Sequence, residues 1–294
     1  MSDLERDVPL AKLTTIGTGG SPTALARPRT VAELRNALCL ARDEGLDVFV
    51  VGLGSNVLAA DGGLDVLAVR LEGELASAEI DDGVLRAGGG AANAVCLHRA
   101  RAAGLGGFEF ACAIPGTSGG GVFMNAGAYG SDWNEILGRA LVVAADREDW
   151  RSPTELGLSY RHSELCAGEV VAAVEYRLEP REPSDVKALI GELVARRKDT
   201  QPTNKRTFGS VFKNPSGELG AGRMLELCGL KAHRIGGARI SPKHANFIEN
   251  ADGATSADCV ALMVEARRRA HEQFGVTLER EVVFLGLPEL PPPT

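Results

Sequence analysis

From Ile114 the chain reads Ile-Pro-Gly-Thr-Ser-Gly-Gly-Gly, and from Met124 it continues Met-Asn-Ala-Gly-Ala-Tyr-Gly. Few folds need such a run. Glycine packs no side chain and loses the most backbone freedom on folding, so a chain keeps it where the backbone must turn sharply or approach another body closely. Thr117 and Ser118 set small hydroxyls among amides that an anionic or bulky ligand could use. Either a ligand held against backbone N–H groups or close packing of the backbone on itself satisfies this pattern. The bias extends through the chain, with 36 glycines in 294 residues, about 12% against a usual value of about 7%, and no collagen-like period.

A second glycine turn, Gly52-Leu53-Gly54-Ser55-Asn56, directly follows the apolar run Val48 to Val51, which reads as a buried strand. That is the place of a dinucleotide-binding turn, but the fingerprint fails. Val57 stands where a third glycine is needed, and Asp61-Gly62-Gly63 reads as a turn where the motif requires a helix. A nicotinamide-binding Rossmann domain is therefore not expected. The turn reads either as a backbone nest for a pyrophosphate or as a plain tight turn. Gly88-Gly89-Gly90 and Gly17-Thr18-Gly19-Gly20, taken alone, read as turns.

The elements predict an alternation of helix and strand. Thr30-Val31-Ala32-Glu33 is a capping box opening a helix with Leu34, Leu38 and Ala41 on one face and Gly45 at its end. Residues 72 to 181 read as short strands with one helix before Gly104, including strands at Leu141 to Ala145 and Val170 to Leu178. After Pro180 to Pro183, Ser184 reads as the cap of a helix that buries Val186, Leu189, Ile190, Leu193 and Val194. A short helix ending at Gly229, a long one from Thr255 to Phe274 and a strand near Val282 to Leu285 complete a third lobe. The expected division is 1–71, 72–181 and 182–294, with Pro288 to Thr294 as an extended tail outside the fold.

A formal charge of -7 argues against a general affinity for nucleic acid or anionic lipid. No apolar run approaches a membrane span, and the polar start predicts a cytoplasmic protein. The six cysteines show neither Cys-x-x-Cys nor metal-like spacing, so they read as reduced packing residues and no metal is expected.

Five segments carry a resemblance: Gly52 to Asn56, Ile114 to Gly130, Tyr160-Arg161-His162-Ser163, Gly209-Ser210-Val211-Phe212-Lys213-Asn214-Pro215, and Leu278-Glu279-Arg280-Glu281-Val282. In this order they resemble the UDP-N-acetylenolpyruvoylglucosamine reductase family of flavoenzymes. The resemblance implies an α+β fold, a two-lobed FAD-binding domain of the vanillyl-alcohol-oxidase-like type plus a C-terminal α/β substrate-binding domain. It implies NADPH-dependent, FAD-mediated reduction of an enolpyruvyl ether to a lactyl ether, giving UDP-N-acetylmuramate for peptidoglycan. FAD is expected to be non-covalent, NADPH to be the co-substrate, and a sugar nucleotide the partner, in a monomer without nucleic-acid partner or membrane insertion.

By the same resemblance Ser210 matches the general acid, Arg161 the fork on the substrate carboxylate, and Glu281 the carboxylate that completes the cluster. The implied cofactor residues are Gly52, Leu53, Gly54, Ser55 and Asn56, then Ile114, Pro115, Gly116, Thr117, Ser118, Gly119 and Gly120, and finally Asn125, Gly127, Ala128, Tyr129 and Gly130. Tyr160, Lys198, Lys213, Asn214 and His244 match substrate-side positions. No long tyrosine-bearing insertion follows Arg161, so the chain resembles the shorter of the family's two types, with a lid built differently. Thr203 to Phe208 is more basic than the family pattern, and Arg206 has no functional assignment there.

Overall fold

The structure, a computed structural model, describes residues 4–293. In chain order its elements are β1 (Pro22–Ala26), α1 (Val31–Asp43), β2 (Asp47–Val50), β3 (Val57–Ala59), β4 (Leu64–Val69), β5 (Ala78–Asp81), β6 (Val84–Gly88), α2 (Asn93–Ala102) and β7 (Leu105–Gly106). The glycine-rich stretch holds α3 (Ser118–Phe123), β8 (Gly127–Ala128) and β9 (Ser131–Asp132), followed by α4 (Trp133–Ile136), β10 (Leu137–Val143), β11 (Glu148–Arg151), β12 (Val170–Tyr176) and β13 (Glu179–Pro180). The remainder is α5 (Pro183–Thr200), β14 (Thr207–Ser210), α6 (Ala221–Leu227), β15 (Arg234–Ile235), β16 (Ala238–Ile240), β17 (Phe247–Asn250), α7 (Ser256–Phe274) and β18 (Val283–Leu285).

These elements form two compact units. The first takes the residues up to Arg6, Thr23–Leu53 and Asp65–Arg196; the second takes Asp7–Pro22, Gly54–Leu64 and the chain from Arg197. Residues of the expected 1–71 lobe thus fall in both units.

Unit 1 contains a three-stranded sheet of order β1-β4-β2, with β2 and β4 parallel, and a five-stranded antiparallel sheet of order β11-β10-β12-β6-β5. Helix α1 lays Leu34, Ala37, Leu38 and Ala41 into the core beside Leu67 and Val69 of β4. Its cap is half of the expected box: Thr30 Oγ1 accepts from the Glu33 N–H at 3.1 Å, while the Glu33 carboxylate accepts from Arg29 N–H at 2.7 Å. Strand β2 is half exposed, not buried, because it lies at the edge of its sheet. Under the larger sheet, Phe108, Phe110, Trp133 and Tyr176 pack edge to face, with ring centroids 4.9 to 5.6 Å apart for Phe108–Tyr176, Phe110–Trp133 and Phe108–Trp133. The indole N–H of Trp133 donates to the Tyr176 hydroxyl at 3.2 Å, so the buried core leaves that pair of polar groups satisfied.

Unit 2 is built around β14-β17-β16-β15 and the parallel pair β18-β3, with α6 and α7 against them. Helix α7 shows both halves of a capping box, Thr255 with Asp258, and ends at Gly275 with φ +68°. Asp61 also accepts the N–H groups of Ser256 and Ala257 at the start of α7, giving that turn the cap its sequence did not advertise. Arg206 lies along Gly17, and its carbonyl accepts from Asn250 N–H at 2.9 Å.

Helix α5 departs from its periodicity. It begins at Pro183, a residue suited to a first helical position, so Ser184 lies inside the helix and not at its cap. Only Val186 is buried; Leu189, Ile190, Leu193 and Val194 are half-buried. Periodicity fixes which face is apolar, not how much of it other elements cover. The proline-rich segment also departs from expectation: Leu290 is buried, and Arg267 Nη1 donates to the carbonyls of Leu290 at 2.9 Å and Pro291 at 3.0 Å. Thr294 lies outside the described residues. Among the six free cysteines, Cys96 and Cys259 are buried, whereas Cys166 is exposed and is not a packing residue.

Candidate active site

Two glycine turns and the end of β4 enclose a cavity of about 230 Å³ in unit 1, lined by Val50 to Leu53, Arg70 to Gly73, Ala76, Gly89, Gly90 and Thr117. A Cβ on Gly52 would lie 2.8 Å from Thr117 Oγ1, so the wall closes only because Gly52 has none. Among the described residues, no hydrogen bond engages the amides of Gly52 or Leu53, nor the guanidinium of Arg70. Two free amides beside a threonine hydroxyl and an arginine suit an anionic diphosphate. The volume is below the roughly 300 to 1,000 Å³ of whole-ligand pockets, so the cavity has room for only part of a dinucleotide-sized ligand.

Of the Ile114 to Gly121 glycines, several answer to packing. A Cβ on Gly121 would lie 2.2 Å from the Trp133 ring, and one on Gly119 would lie 2.9 Å from the Gly89 carbonyl. These glycines let α3 sit flat on the sheet and indole. Gly120 meets only Thr117 Oγ1, at 3.4 Å. The helix starts at Ser118 because Thr117 Oγ1 accepts from the Gly120 N–H.

The second half of the stretch is a hairpin, β8 to β9, turned by Tyr129 at φ +57° and Gly130 at φ +91°. Two positive φ angles are the mark of a tight I′ turn. Asn125, buried, spends its amide inside the protein: Oδ1 accepts from Asn134 N–H at 2.9 Å, and Nδ2 donates to the Ser159 carbonyl at 2.9 Å. That bond ties the hairpin to the turn carrying Tyr160 and Arg161. Arg161, at φ +56°, donates from Nη2 to the Gly127 carbonyl at 2.6 Å and from Nη1 to the Asn125 carbonyl at 3.5 Å. Its guanidinium lies 5.0 Å from the ring of Tyr160, which is half exposed. The Tyr129 hydroxyl donates to the Leu193 carbonyl of α5 at 3.2 Å.

Unit 2 brings three of the sequence segments together. Ser210 ends β14 opposite Phe247 of β17, immediately after Gly209 at φ +82°. The Glu281 N–H donates to the Val211 carbonyl at 2.8 Å, and Lys213 N–H to the Glu279 carbonyl at 2.8 Å, so Ser210 and Glu281 sit on adjoining stretches of backbone. Asn56 Nδ2 donates to the Glu281 carbonyl at 3.3 Å, and Ser55 O lies 3.3 Å from where a Gly209 Cβ would be. Thr15 joins the same assembly, donating through Oγ1 to the Thr207 carbonyl at 2.6 Å and through its N–H to the Gly54 carbonyl at 3.0 Å. Among the described residues, the Ser210 hydroxyl makes no hydrogen bond.

The substrate-side candidates of unit 2 are more scattered. Lys213 Nζ is 3.7 Å from Glu279, and Asn214 Oδ1 accepts the N–H of Ala221 at the start of α6. His244 stacks over Gly222 and accepts the Asn246 N–H on Nδ1 at 3.2 Å; burial, and then the charge of Lys231, push its pKa below the ordinary histidine value. Lys198 is exposed near the end of α5, where its carbonyl accepts from Lys243 Nζ.

Residues 201–285 match the C-terminal domain of UDP-N-acetylenolpyruvoylglucosamine reductase, and residues 22–148 match an FAD binding domain. The chain is 41% identical over 285 residues to UDP-N-acetylenolpyruvoylglucosamine reductase 2 of Symbiobacterium thermophilum, covering 96% of this chain and 92% of that protein. The chain belongs to the UDP-N-acetylenolpyruvoylglucosamine reductase family. A reductase of Rubrobacter xylanophilus is 42% identical, covering 96% of this chain and 95% of its own. The crystal structure of the Thermus caldophilus reductase superposes with a TM-score of 0.85 at 33% identity, covering 97% of this chain and all of that one.

Within this reductase family frame, the sequence reading missed part of the cavity wall. Gly89 and Gly90 line it, and their only signal was a glycine run that read as a plain turn. Arg70, Glu72, Gly73 and Ala76 carried no signal, since a strand end and the turn after it look alike whether or not they border a ligand. Among the described residues no helix is long and apolar enough to cross a membrane.

Proposed function

We propose that this chain reduces the enolpyruvyl ether of UDP-N-acetylglucosamine enolpyruvate to the lactyl ether of UDP-N-acetylmuramate, as a cytoplasmic monomer. The family supports the reaction class, and the observation that carries the assignment of roles is Ser210: a hydroxyl with no partner among the described residues, on a backbone shared with Glu281. FAD, when bound, supplies the hydride that NADPH delivers to it. Gly52, Leu53 and Thr117 would hold its diphosphate, and the hairpin at Gly127 to Gly130 would border it. In this reading residues 1–71 and 72–181 serve the cofactor and 182–294 the substrate.

The protein's own work is binding and proton transfer. Ser210 gives its proton to the carbon left electron-rich after hydride addition, a task a weak acid can perform because the acceptor is strongly basic. Arg161 offers its planar fork to the substrate carboxylate, favouring the negative charge that develops there, and Glu281 orients that polarised group. Lys198, Lys213, Asn214, His244 and Tyr160 contact the sugar nucleotide. His244, kept neutral by burial, serves as a hydrogen-bond donor and not as a cation.

Absorption spectra and rapid kinetics test this reading. The purified protein should be yellow, bleach on anaerobic NADPH, and recover its colour when the enolpyruvyl sugar nucleotide is added. Ser210→Ala should slow the recovery step by at least about a hundredfold while changing the bleaching step only a few-fold. Equal slowing of both steps would assign Ser210 to flavin placement, and a colourless protein that binds no FAD would overturn the function.

A further inference from the structure

The strand that carries Ser210 is poorly held by its own sheet. The β14–β17 ladder loses register between Thr207 and Ser210, and Gly209 sits at φ +82°, a conformation that glycine adopts readily and that breaks the ladder locally. On its far side, Val211 and Lys213 are pinned by the backbone of Glu281 and Glu279. On the near side one side chain reinforces the backbone. Asn246 is 4% exposed, its Oδ1 accepts the Phe212 N–H at 3.0 Å, and its Nδ2 donates to the Phe212 carbonyl at 2.8 Å. Its own carbonyl accepts the Val211 N–H at 2.9 Å.

An asparagine amide presents a donor and an acceptor side by side, as a peptide group does, so Asn246 substitutes for the ladder where β14 leaves it. The loop bearing it is itself closed, by Ser241 N–H to the Phe247 carbonyl at 2.8 Å and Phe247 N–H to the His244 carbonyl at 3.0 Å. A rigid loop therefore grips both polar groups of Phe212, two residues beyond Ser210. We propose that Asn246 is a positioning residue for Ser210, setting the direction of its hydroxyl through the Val211–Phe212 backbone. This rests on Ser210 serving as the proton donor.

The test uses the FAD-loaded enzyme and four variants: Asn246→Ala, Asn246→Asp, Ser210→Ala and the double variant Ser210→Ala with Asn246→Ala. Asn246→Asp keeps the volume and the acceptor for Phe212 N–H but sets a second oxygen against the Phe212 carbonyl. Reoxidation of reduced flavin by the enolpyruvyl substrate should slow by at least about tenfold in both Asn246 variants, since small displacements of a catalytic group are costly. Flavin reduction by NADPH and the substrate dissociation constant, read from the perturbed flavin spectrum, should stay within about threefold. The double variant should be no slower than Ser210→Ala alone, because a positioning residue has nothing left to position.

Additive slowing in the double variant, wild-type reoxidation in both Asn246 variants, or loss of fold or flavin in both would overturn the proposal. A Ser210→Ala enzyme with unchanged reoxidation would overturn the proton-donor reading and this inference with it. Slowed Ser210→Ala beside unaffected Asn246 variants would overturn the positioning role alone.

Discussion

Arg161 holds a left-handed backbone and spends two donors on the hairpin carbonyls of Asn125 and Gly127. A lysine keeps the charge but cannot bridge two acceptors in one plane. Arg161→Lys is expected to lower kcat/KM by the worth of one charge-assisted hydrogen bond, about 1.5 to 3 kcal/mol, or roughly ten- to a hundredfold. Steady-state kinetics decide it, and a wild-type value would reduce Arg161 to a structural clasp. Gly121→Ala tests the packing account of the glycine run. Alanine normally gains about 1 kcal/mol over glycine inside a helix, yet a Cβ here would overlap the buried Trp133 ring. Overpacking costs about 1 to 3 kcal/mol, so a lower melting temperature is expected for Gly121→Ala and none for Gly120→Ala, whose Cβ would meet only Thr117 Oγ1 at ordinary contact distance. Nothing in the sequence separates Gly119, Gly120 and Gly121. Their difference comes from Trp133 and Gly89, which only folding brings beneath them.

At the scale of elements, local signals were readable where a few neighbouring residues decide the outcome. The stop at Gly275 and the face of α1 follow from contacts within two turns. Burial was less readable, as α5 and β2 show, because coverage depends on elements far away in the chain. One ion cluster, joining Arg147 and Arg151 at β11 to Glu169 just before β12, gives a measurable consequence. Hydrogen bonds from Arg151, then the Cys166 N–H and Arg147, hold the Glu169 carboxyl down to about 2, below its ordinary 4.5. A depressed carboxyl stabilises the folded state fully above about pH 4.5, and that contribution is lost as the pH falls towards 2. Urea midpoints measured from pH 7 to 3 should therefore fall more steeply for the wild type than for Glu169→Gln, with the variant weaker at pH 7 and the gap narrowing in acid. Parallel curves would show that Glu169 titrates alike in both states.

For the whole molecule, the order of the five segments exposed the family, while the interleaving of the two units stayed hidden. Unit 2 is assembled from three separate stretches, and no local pattern marks Asp7–Pro22 or Gly54–Leu64 as belonging with the C-terminal third. The tail was misjudged for a related reason: prolines signal an extended chain, not whether that chain is docked. Ending the chain at Leu287 would remove the buried Leu290 and the carbonyls that Arg267 grips. A loss of about 1.5 to 3 kcal/mol is expected from the leucine, and thermal melting of the shortened protein measures it.

The parallel pairing of Val57–Ala59 with Val283–Leu285 has a consequence for biosynthesis. The ribosome emits the first of these strands more than two hundred residues before the second, and no hairpin can stand in for the partner. Unit 1, whose residues end at Arg196, can condense while translation continues, whereas β3 must wait, unpaired, until Val283 to Leu285 leave the exit tunnel. Nascent chains stalled at successive lengths should thus gain protease resistance in two steps, the later one only after Leu285 has emerged.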